Sequence, residues 1–153
     1  MRNIKENYLI NIKSLREIDD EEDLIEISTT GDFKKVGDKC YIVYKEYDSV
    51  EPRKYRMCVV KIEPPNRVEM IKNESIKTKI ILEKDKRHYC PYNVENEALM
   101  VSVYTKCINF DFNEKCGKLI LEYAIDINSI SLGTNKVTIN FKKIDDKEKL
   151  CTI

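Results

Sequence analysis

The sequence predicts an all-β fold, a single antiparallel meander of roughly eight to ten strands closed into an up-and-down barrel. Apolar and polar residues alternate along most segments, most clearly in 118–127, where every second residue from Leu119 to Ile127 is apolar. Connections are short, and no segment carries a helical apolar stripe longer than about two turns. Closure into a barrel removes the exposed edges of such a sheet. A two-sheet sandwich is the alternative, but the sequential hairpins and one long bent strand favour the barrel.

The strands follow from the alternation in chain order. They are predicted at Asn7–Ile18, Asp23–Phe33, Lys39–Tyr47, Lys54–Ile62, Arg67–Lys72, Lys77–Glu83, Arg87–Tyr92, Glu97–Phe112, Lys118–Ile127 and Lys136–Lys143. The acidic row 19–23 is predicted to form the first hairpin tip, Pro64-Pro65 a turn, and the stretch 132–135 the last turn.

The long strand 97–112 contains an irregularity. Its apolar residues occupy odd positions up to Thr105 and even positions from Ile108 onward. A slip of one residue moves every side chain to the other face of a sheet, so the sequence predicts a β-bulge or bend near Lys106-Cys107.

Composition excludes several classes of function. The 153 residues fit a single domain over 1–153, and Lys+Arg 27 balances Asp+Glu 27, with no basic stripe of the kind that nucleic-acid binding requires. No apolar stretch approaches about 18 residues, and the N-terminus has no signal-peptide pattern. We therefore expect a cytoplasmic protein without membrane or nucleic-acid partners.

Two stretches, 29–46 and 103–135, are similar to a known family. The matching positions are Thr30-Gly31 followed by Phe33, Tyr41 and Tyr44 with Glu46, Thr105 with Lys106, Gly117 with Leu119, and Tyr123. Together they resemble the YwiB-like family of small uncharacterised bacterial proteins. The resemblance implies a calycin-like β-barrel, related in architecture to lipocalins, and supplies no catalytic or ligand-binding residues. Relatives often have Pro-aromatic-Gly where this chain has Pro91-Tyr92-Asn93, so a turn is expected there because asparagine tolerates left-handed φ.

No motif points to catalysis, a cofactor or a metal. The six cysteines form no C-x-x-C pair, and with one histidine a zinc site is not expected; the cysteines are interpreted as free thiols. His88 and Cys90 share a strand face with Cα atoms about 6.5–7 Å apart, whereas a catalytic dyad needs hydrogen-bond contact. We interpret His88 as a surface residue at a strand end.

Carboxylates also have a structural interpretation. The Cα atoms of Glu122 and Asp126 lie about 13 Å apart on one strand face, too far for the paired carboxyl groups of a glycosidase. Either residue is expected to pair with a cross-strand lysine. The acidic row 19–23 lacks the alternating spacing and glycine of a calcium loop.

The candidate ligand-binding residues are Tyr41, Tyr44, Thr105 and Tyr123. Nine tyrosines without a tryptophan is a distinctive composition, and a tyrosine inside a barrel needs a hydrogen-bond partner for its hydroxyl. That partner is a ligand, a water or Glu46. A barrel of this size holds either packed side chains or one small ligand.

Two functional hypotheses remain open. The first is a non-catalytic module that binds a small, partly apolar molecule in a cavity above about 300 Å³, lined by Tyr123 and open at one end. The second is a structural or interaction protein that uses its outer surface, where Ile120 and Ala124 lie, or that self-associates as a homodimer. We expect no enzymatic activity.

Overall fold

The structure is a computed structural model that describes residues 5–48, 50–73, 77–94 and 97–144. Within these ranges the chain forms ten β-strands: β1 (Tyr8–Ile18), β2 (Glu21–Val36), β3 (Lys39–Tyr47), β4 (Tyr55–Glu63), β5 (Arg67–Asn73), β6 (Lys77–Glu83), β7 (Arg87–Val94), β8 (Glu97–Phe112), β9 (Cys116–Ile127) and β10 (Ile130–Lys143). The predicted all-β class is confirmed. The part of the chain so described contains no helix with the length and apolarity to cross a bilayer.

All ten strands belong to one antiparallel sheet that curls into a nearly closed barrel. The strand order is β6-β5-β4-β3-β2-β1-β10-β9-β8-β7, so consecutive strands are neighbours and β1 pairs with β10. The meander therefore starts and ends in the middle of the sheet, and its two edge strands, β6 and β7, face each other. We call the line between β6 and β7 the seam.

The seam is fastened at one end. In the turn between the two edge strands, the Asp85 N–H donates to the Thr105 carbonyl at 2.8 Å, and the Thr105 N–H donates to the Lys86 carbonyl at 3.3 Å. Both contacts use the point in β8 where the register with β9 shifts, between Thr105 and Cys107. The predicted bulge near Lys106-Cys107 is thus confirmed, and it lies where the barrel closes.

Two hairpins turn on non-glycine residues with positive φ. Asp19-Asp20 (φ 50° and 65°) joins β1 to β2, and Asn128-Ser129 (φ 49° and 67°) joins β9 to β10. Two-residue turns of this kind match the right-handed twist of hairpin strands. The predicted turn at 132–135 is wrong: this stretch lies inside β10, where Gly133 (φ 87°) occupies an irregularity between Ser131 and Thr134.

The predicted turn at Pro91–Asn93 is also wrong. Strand β7 continues through Val94, and Pro91 lies opposite Met100 in the ladder with β8. Proline fits here because β7 is an edge strand, where one row of backbone N–H groups has no neighbour strand to bond.

One end of the barrel is closed by aromatic rings, which we call the aromatic plug. Phe33 stacks on Phe141 with ring centroids 4.3 Å apart and meets Tyr8 and Phe112 edge-on at 5.9 and 5.5 Å. Gly117 allows this packing, because a Cβ at this position would meet the Phe141 ring and the Phe112 side chain. Aliphatic side chains fill the middle of the barrel beside the plug: Ile10, Ile42, Val60, Val68, Leu82, Val103, Leu119, Leu121 and Ile139 are each at most 1% exposed.

Candidate functional site

Beyond the aliphatic core, hydroxyl and thiol groups face the barrel interior. Four of them, Tyr44, Cys58, Thr105 and Tyr123, form what we call the polar belt, and all are buried. Tyr44 lies directly opposite Cys58 across β3 and β4, and Thr105 lies directly opposite Tyr123 across β8 and β9. The strand register therefore places two polar pairs on opposite walls of the barrel.

The tyrosines of the two walls lie within electrostatic range of each other. Tyr44 and Tyr123 are close enough that a charge on Tyr123 raises the pKa of Tyr44, in addition to the larger effects of burial and of Cys58 and Glu46. Neighbouring positions on the interior face carry apolar side chains that are only partly buried: Met70, Ile80, Ile125 and Ile127. The belt thus combines hydrogen-bonding groups with incompletely covered apolar surface.

A hydrogen-bonded chain leads outward from Tyr44. Its hydroxyl bonds the Cys58 thiol, whose sulfur lies 3.6 Å from Glu46 Oε2. Burial, followed by the nearby Glu46 carboxylate, raises the pKa of Cys58 to about 12. The thiol is therefore protonated at neutral pH and can donate to Glu46, but it is a poor nucleophile.

Glu46 also contacts two cations, Arg56 and Lys72, and we call these three residues the charged mouth. Arg56 Nε lies 3.8 Å from Oε1, and Lys72 Nζ lies 3.5 Å from Oε2. The side chains are 32% and 41% exposed for the two cations and 20% for Glu46, whereas Tyr44 is 4% exposed. Exposure falls steadily from the mouth to the belt, so this end of the barrel faces solvent through charged groups.

Thr105 is the most constrained member of the belt. Its backbone N–H and carbonyl are both used in fastening the seam, and its side chain is fully buried at 0% exposure. The Oγ1 atom has no hydrogen-bond partner among the described residues. A buried hydroxyl without a partner costs about 1–3 kcal/mol, so native proteins rarely leave one unless something else bonds it.

The structure separates the four residues predicted as ligand-binding. Tyr44, Thr105 and Tyr123 face the interior, whereas Tyr41 lies on the outer face of β3 opposite Lys61. The hydroxyl of Tyr44 uses Cys58, a partner that was not among the expected ligand, water or Glu46. Cys58, Arg56 and Lys72 were missed, although "YRMC" places a cation and a thiol at the same strand parity as buried Val60.

Two surface depressions are lined by described residues. One, of about 230 Å³, touches Tyr123 but is otherwise formed by outer-face residues such as Glu122 and Lys136. Its volume is below the 300 Å³ expected for a ligand cavity at Tyr123. The other, of about 490 Å³, lies outside the barrel on β2, β1, β10 and β9.

The residues rejected as catalytic have structural partners. His88 is partly buried, rather than a surface residue, and its Nε2 lies 3.0 Å from Glu83 Oε1 across the seam. Glu122 pairs with the cross-strand Lys136 at 3.8 Å, as predicted, whereas Asp126 pairs with Arg87 at 3.3 Å. In the described ranges, no cluster of three or more His, Cys, Asp or Glu side chains is arranged to hold a metal ion.

The cysteines differ from the expectation in one case. Cys40, Cys58, Cys90 and Cys107 are free thiols, and the first three are buried. Cys116 is disulfide-bonded, so the interpretation of all cysteines as free thiols is wrong for this residue. Cys151 lies outside the described residues.

Comparison with known proteins places the chain in a family. A domain model described as a domain of unknown function, DUF1934, matches residues 10–139, which is most of the chain. The chain belongs to the DUF1934 family. The match covers every interior residue of the polar belt and the charged mouth.

A solved structure shares the fold. The crystal structure of the ywiB protein from Bacillus subtilis superimposes with a TM-score of 0.76 at 21% sequence identity, covering 90% of this chain and 92% of that one. No curated protein sequence matches the chain. The family and the fold resemblance seen in the sequence are thus confirmed, and neither comparison brings an activity with it.

Proposed function

We propose that this DUF1934 protein is a non-catalytic, cytoplasmic barrel of the calycin type that binds a small, partly apolar molecule at the polar belt. The ligand enters past the charged mouth, at the end of the barrel opposite the aromatic plug. Its polar group bonds the belt hydroxyls, and its apolar part packs on Met70, Ile80, Ile125 and Ile127.

The observation that carries this proposal is the buried, unpartnered hydroxyl of Thr105. A ligand that hydrogen-bonds Oγ1 removes the free-energy cost of leaving this hydroxyl unpaired. Because the folded protein already holds the hydroxyl in place, this hydrogen bond adds to the affinity without the cost of ordering the side chain. Few, well-placed polar groups on an otherwise apolar lining are typical of small-molecule sites.

The same geometry gives little support to an enzyme. The thiol of Cys58 has a pKa of about 12 and stays protonated, and His88 is engaged with Glu83 rather than with a nucleophile. The balance of 27 basic and 27 acidic residues likewise favours no nucleic-acid partner. A binding role therefore uses the hydroxyl groups and apolar side chains of the interior and requires no reactive group.

The test uses 8-anilino-1-naphthalenesulfonate, a fluorescent probe with an apolar body and one anionic group. We expect saturable one-to-one binding with enhanced fluorescence. Tyr44→Phe and Thr105→Val each remove one belt hydroxyl and should weaken binding about 5- to 10-fold, the equivalent of one hydrogen bond.

Two matched controls locate the site. Tyr41→Phe makes the same change on the outer face of the same strand, and Thr138→Val removes an outer-face threonine hydroxyl on β10. Both should bind the probe as the wild type does. Equal affinity in all five proteins, or binding weakened by the controls instead, would overturn the assignment of the site.

Self-association is a second candidate, favoured by the exposed apolar side chains of the β1–β2 hairpin. Leu24 and Ile25 are successive residues near its tip, point to opposite faces of the hairpin, and are 65% and 60% exposed. Ile120 and Ala124, the outer-face residues noted in the sequence, are instead half-buried. Light scattering after size exclusion tests this: a dimer that Leu24→Ser dissociates supports it, and a monomer at all concentrations contradicts it.

A further inference from the structure

Strands β3 and β4 carry apolar side chains on both faces of the sheet. Ile42 and Val60 are buried in the barrel, and their neighbours Val43 and Val59 point outward, directly opposite each other. The outer positions of β10 are polar instead: Lys136, Thr138, Asn140 and Lys142. A strand with one face in water normally alternates apolar and polar residues, whereas a strand covered on both faces has a nearly continuous apolar run. The pattern therefore indicates that the outer face of β3 and β4 is covered.

The strand register gathers these side chains into one surface across β3, β4, β5 and β6. One row crosses three strands, and residues of the rows above and below extend it. We call this surface the apolar face; its members are Tyr41, Val43, Met57, Val59, Ile71 and Ile81. Each member is only half-buried, so part of each side chain still faces solvent. Contiguous exposed apolar surface of this kind marks interaction sites.

Four charged residues border the apolar face on the side of the β4–β5 turn, and their signs alternate. In the ladder between the two strands, Lys61 lies opposite Glu69 and Glu63 lies opposite Arg67. Along β4, Lys61 Nζ is 3.2 Å from Glu63 Oε1. Along β5, Arg67 Nη2 is 3.3 Å from Glu69 Oε2. Each charge thus has an opposite charge beside it both along and across the strands, and we call these four residues the charge checkerboard.

The charge checkerboard is complementary to a second copy of itself. In a face-to-face pair, a twofold axis that runs parallel to the strands between β4 and β5 places β4 of one copy over β5 of the other. Lys61 then faces the partner's Glu69, and Glu63 faces the partner's Arg67. Twofold symmetry repeats both contacts, so four pairs of opposite charge form across the interface.

The same axis also matches the apolar residues. It places Val59 over the partner's Ile71, and Tyr41 over the partner's Ile81. A twofold axis perpendicular to the strands would match the charges equally well. That axis, however, would place the row of Val59 and Ile71 against the partner's exposed Pro64-Pro65 turn. Charge and apolar matching together therefore select the axis parallel to the strands.

We propose that two copies of this chain form a dimer through the apolar face, in the register set by the charge checkerboard. Aligned sheets pack about 10 Å apart, so the side chains of the two faces meet. Burial of apolar surface is the main favourable contribution, and the charges select the partner and its orientation. The interface lies outside the barrel and includes no residue of the polar belt, so it does not depend on a ligand there.

Sedimentation equilibrium of the whole protein tests the proposal. We expect a species of about twice the 18.0 kDa mass of the chain. Val59→Lys places two like charges beside the axis and should weaken the dimer about 100-fold or more. Ile120→Lys makes a similar change at a half-buried outer position of β9 and should leave the dimer as in the wild type. Circular dichroism and cooperative thermal unfolding show that each variant is folded.

Charge reversals test the register of the dimer. In Lys61→Glu the new carboxylate faces the partner's Glu69, and in Glu69→Lys the new ammonium group faces the partner's Lys61. Each variant alone should therefore dissociate more readily than the wild type. An equimolar mixture of the two should form heterodimers, because every reversed contact then joins opposite charges.

A second pair of variants covers a folding failure, because Glu69 is buried and also bonds Lys79 at 3.0 Å within its own chain. Glu63→Lys and Arg67→Glu should behave in the same way, dissociated alone and heterodimeric when mixed. Three results would overturn the proposal: a wild-type protein that is monomeric at every concentration, a dimer that folded Val59→Lys retains, or a dimer that Leu24→Ser dissociates and Val59→Lys does not. Folded variant pairs that form no heterodimer would overturn the proposed register.

Discussion

Tyr44 and Cys58 face each other across β3 and β4, and Cys58 is at the same time 3.6 Å from the Glu46 carboxylate. A neutral hydroxyl, a neutral thiol and a carboxylate thus form one hydrogen-bonded chain from the barrel interior to its charged mouth. Burial keeps the two inner groups protonated, raising the pKa of Cys58 to about 12 and that of Tyr44 well above its usual value. The chain therefore has consequences for stability at alkaline pH.

Stability should fall as the pH rises from about 9 to about 12. The folded protein holds the Cys58 proton to about pH 12 and the unfolded chain releases it near pH 9, so the unfolded state binds fewer protons in this window. Urea unfolding at several pH values measures the slope. Cys58→Ala should reduce the slope, and Cys107→Ala should leave it as in the wild type; identical slopes in all three would contradict the buried-thiol assignment.

Gly31 and Gly37 should respond differently to alanine. A Cβ at Gly31 would meet the Val43 backbone and Ile10, so Gly31→Ala should cost about 3 kcal/mol or more. Gly37 has φ +66° but nothing within 4 Å of the added Cβ, so Gly37→Ala should cost only about 1–2 kcal/mol. Denaturant unfolding measures both, and a Gly31→Ala protein as stable as Gly37→Ala would show that the pairing of β2 with β3 does not need the close approach at Gly31.

Acid should loosen the seam through Glu83. Hydrogen bonds from Lys86 and then His88 lower the pKa of this carboxyl, so its stabilising contribution is present above its usual value near 4.5 and is lost as pH falls further. The urea midpoint of the wild type should drop between about pH 5 and about pH 3 by more than that of Glu83→Gln. Glu122→Gln, which removes a surface ion pair away from the seam, should behave as the wild type. An equal drop of the urea midpoint in all three proteins would show that Glu83 does not cause the loss of stability in acid.

Alternation alone predicts much of this fold. The bulge at Lys106-Cys107 follows from the parity change between Thr105 and Ile108, because the interior face must stay apolar on both sides of it. The β9–β10 turn could not be predicted in the same way, since Gly133 gives the stronger local signal and the barrel uses Asn128-Ser129 instead. Hairpin twist and register decide that choice, and they depend on the neighbouring strands.

The candidate site depends still more on tertiary structure. Parity shows that Tyr41 and Tyr44 lie on opposite faces of β3, but only closure of the barrel brings Tyr44 toward Tyr123 on β9. Likewise, Lys72 joins Glu46 because β3, β4 and β5 align Tyr44, Cys58 and Lys72 in one row. Such rows depend on how neighbouring strands pair, and the alternation within one strand does not show which residues of the next strand lie opposite.

Thr105→Val should stabilise the protein when no ligand is bound. The substitution keeps the shape of the side chain and removes a buried hydroxyl that has no partner among the described residues, so the gain should be about 1 kcal/mol. Thermal unfolding of stripped protein, refolded from denaturant, measures it. Thr138→Val on the outer face serves as the control. A clear loss of stability on Thr105→Val would mean that Oγ1 is bonded without a ligand.

Native mass spectrometry of the protein purified from its own cells tests the central claim most directly. We predict a one-to-one adduct of constant mass on the wild type and on Tyr41→Phe, strongly reduced on Thr105→Val. A wild-type protein that appears only at its bare mass, or an adduct retained fully by Thr105→Val, would contradict binding at the polar belt.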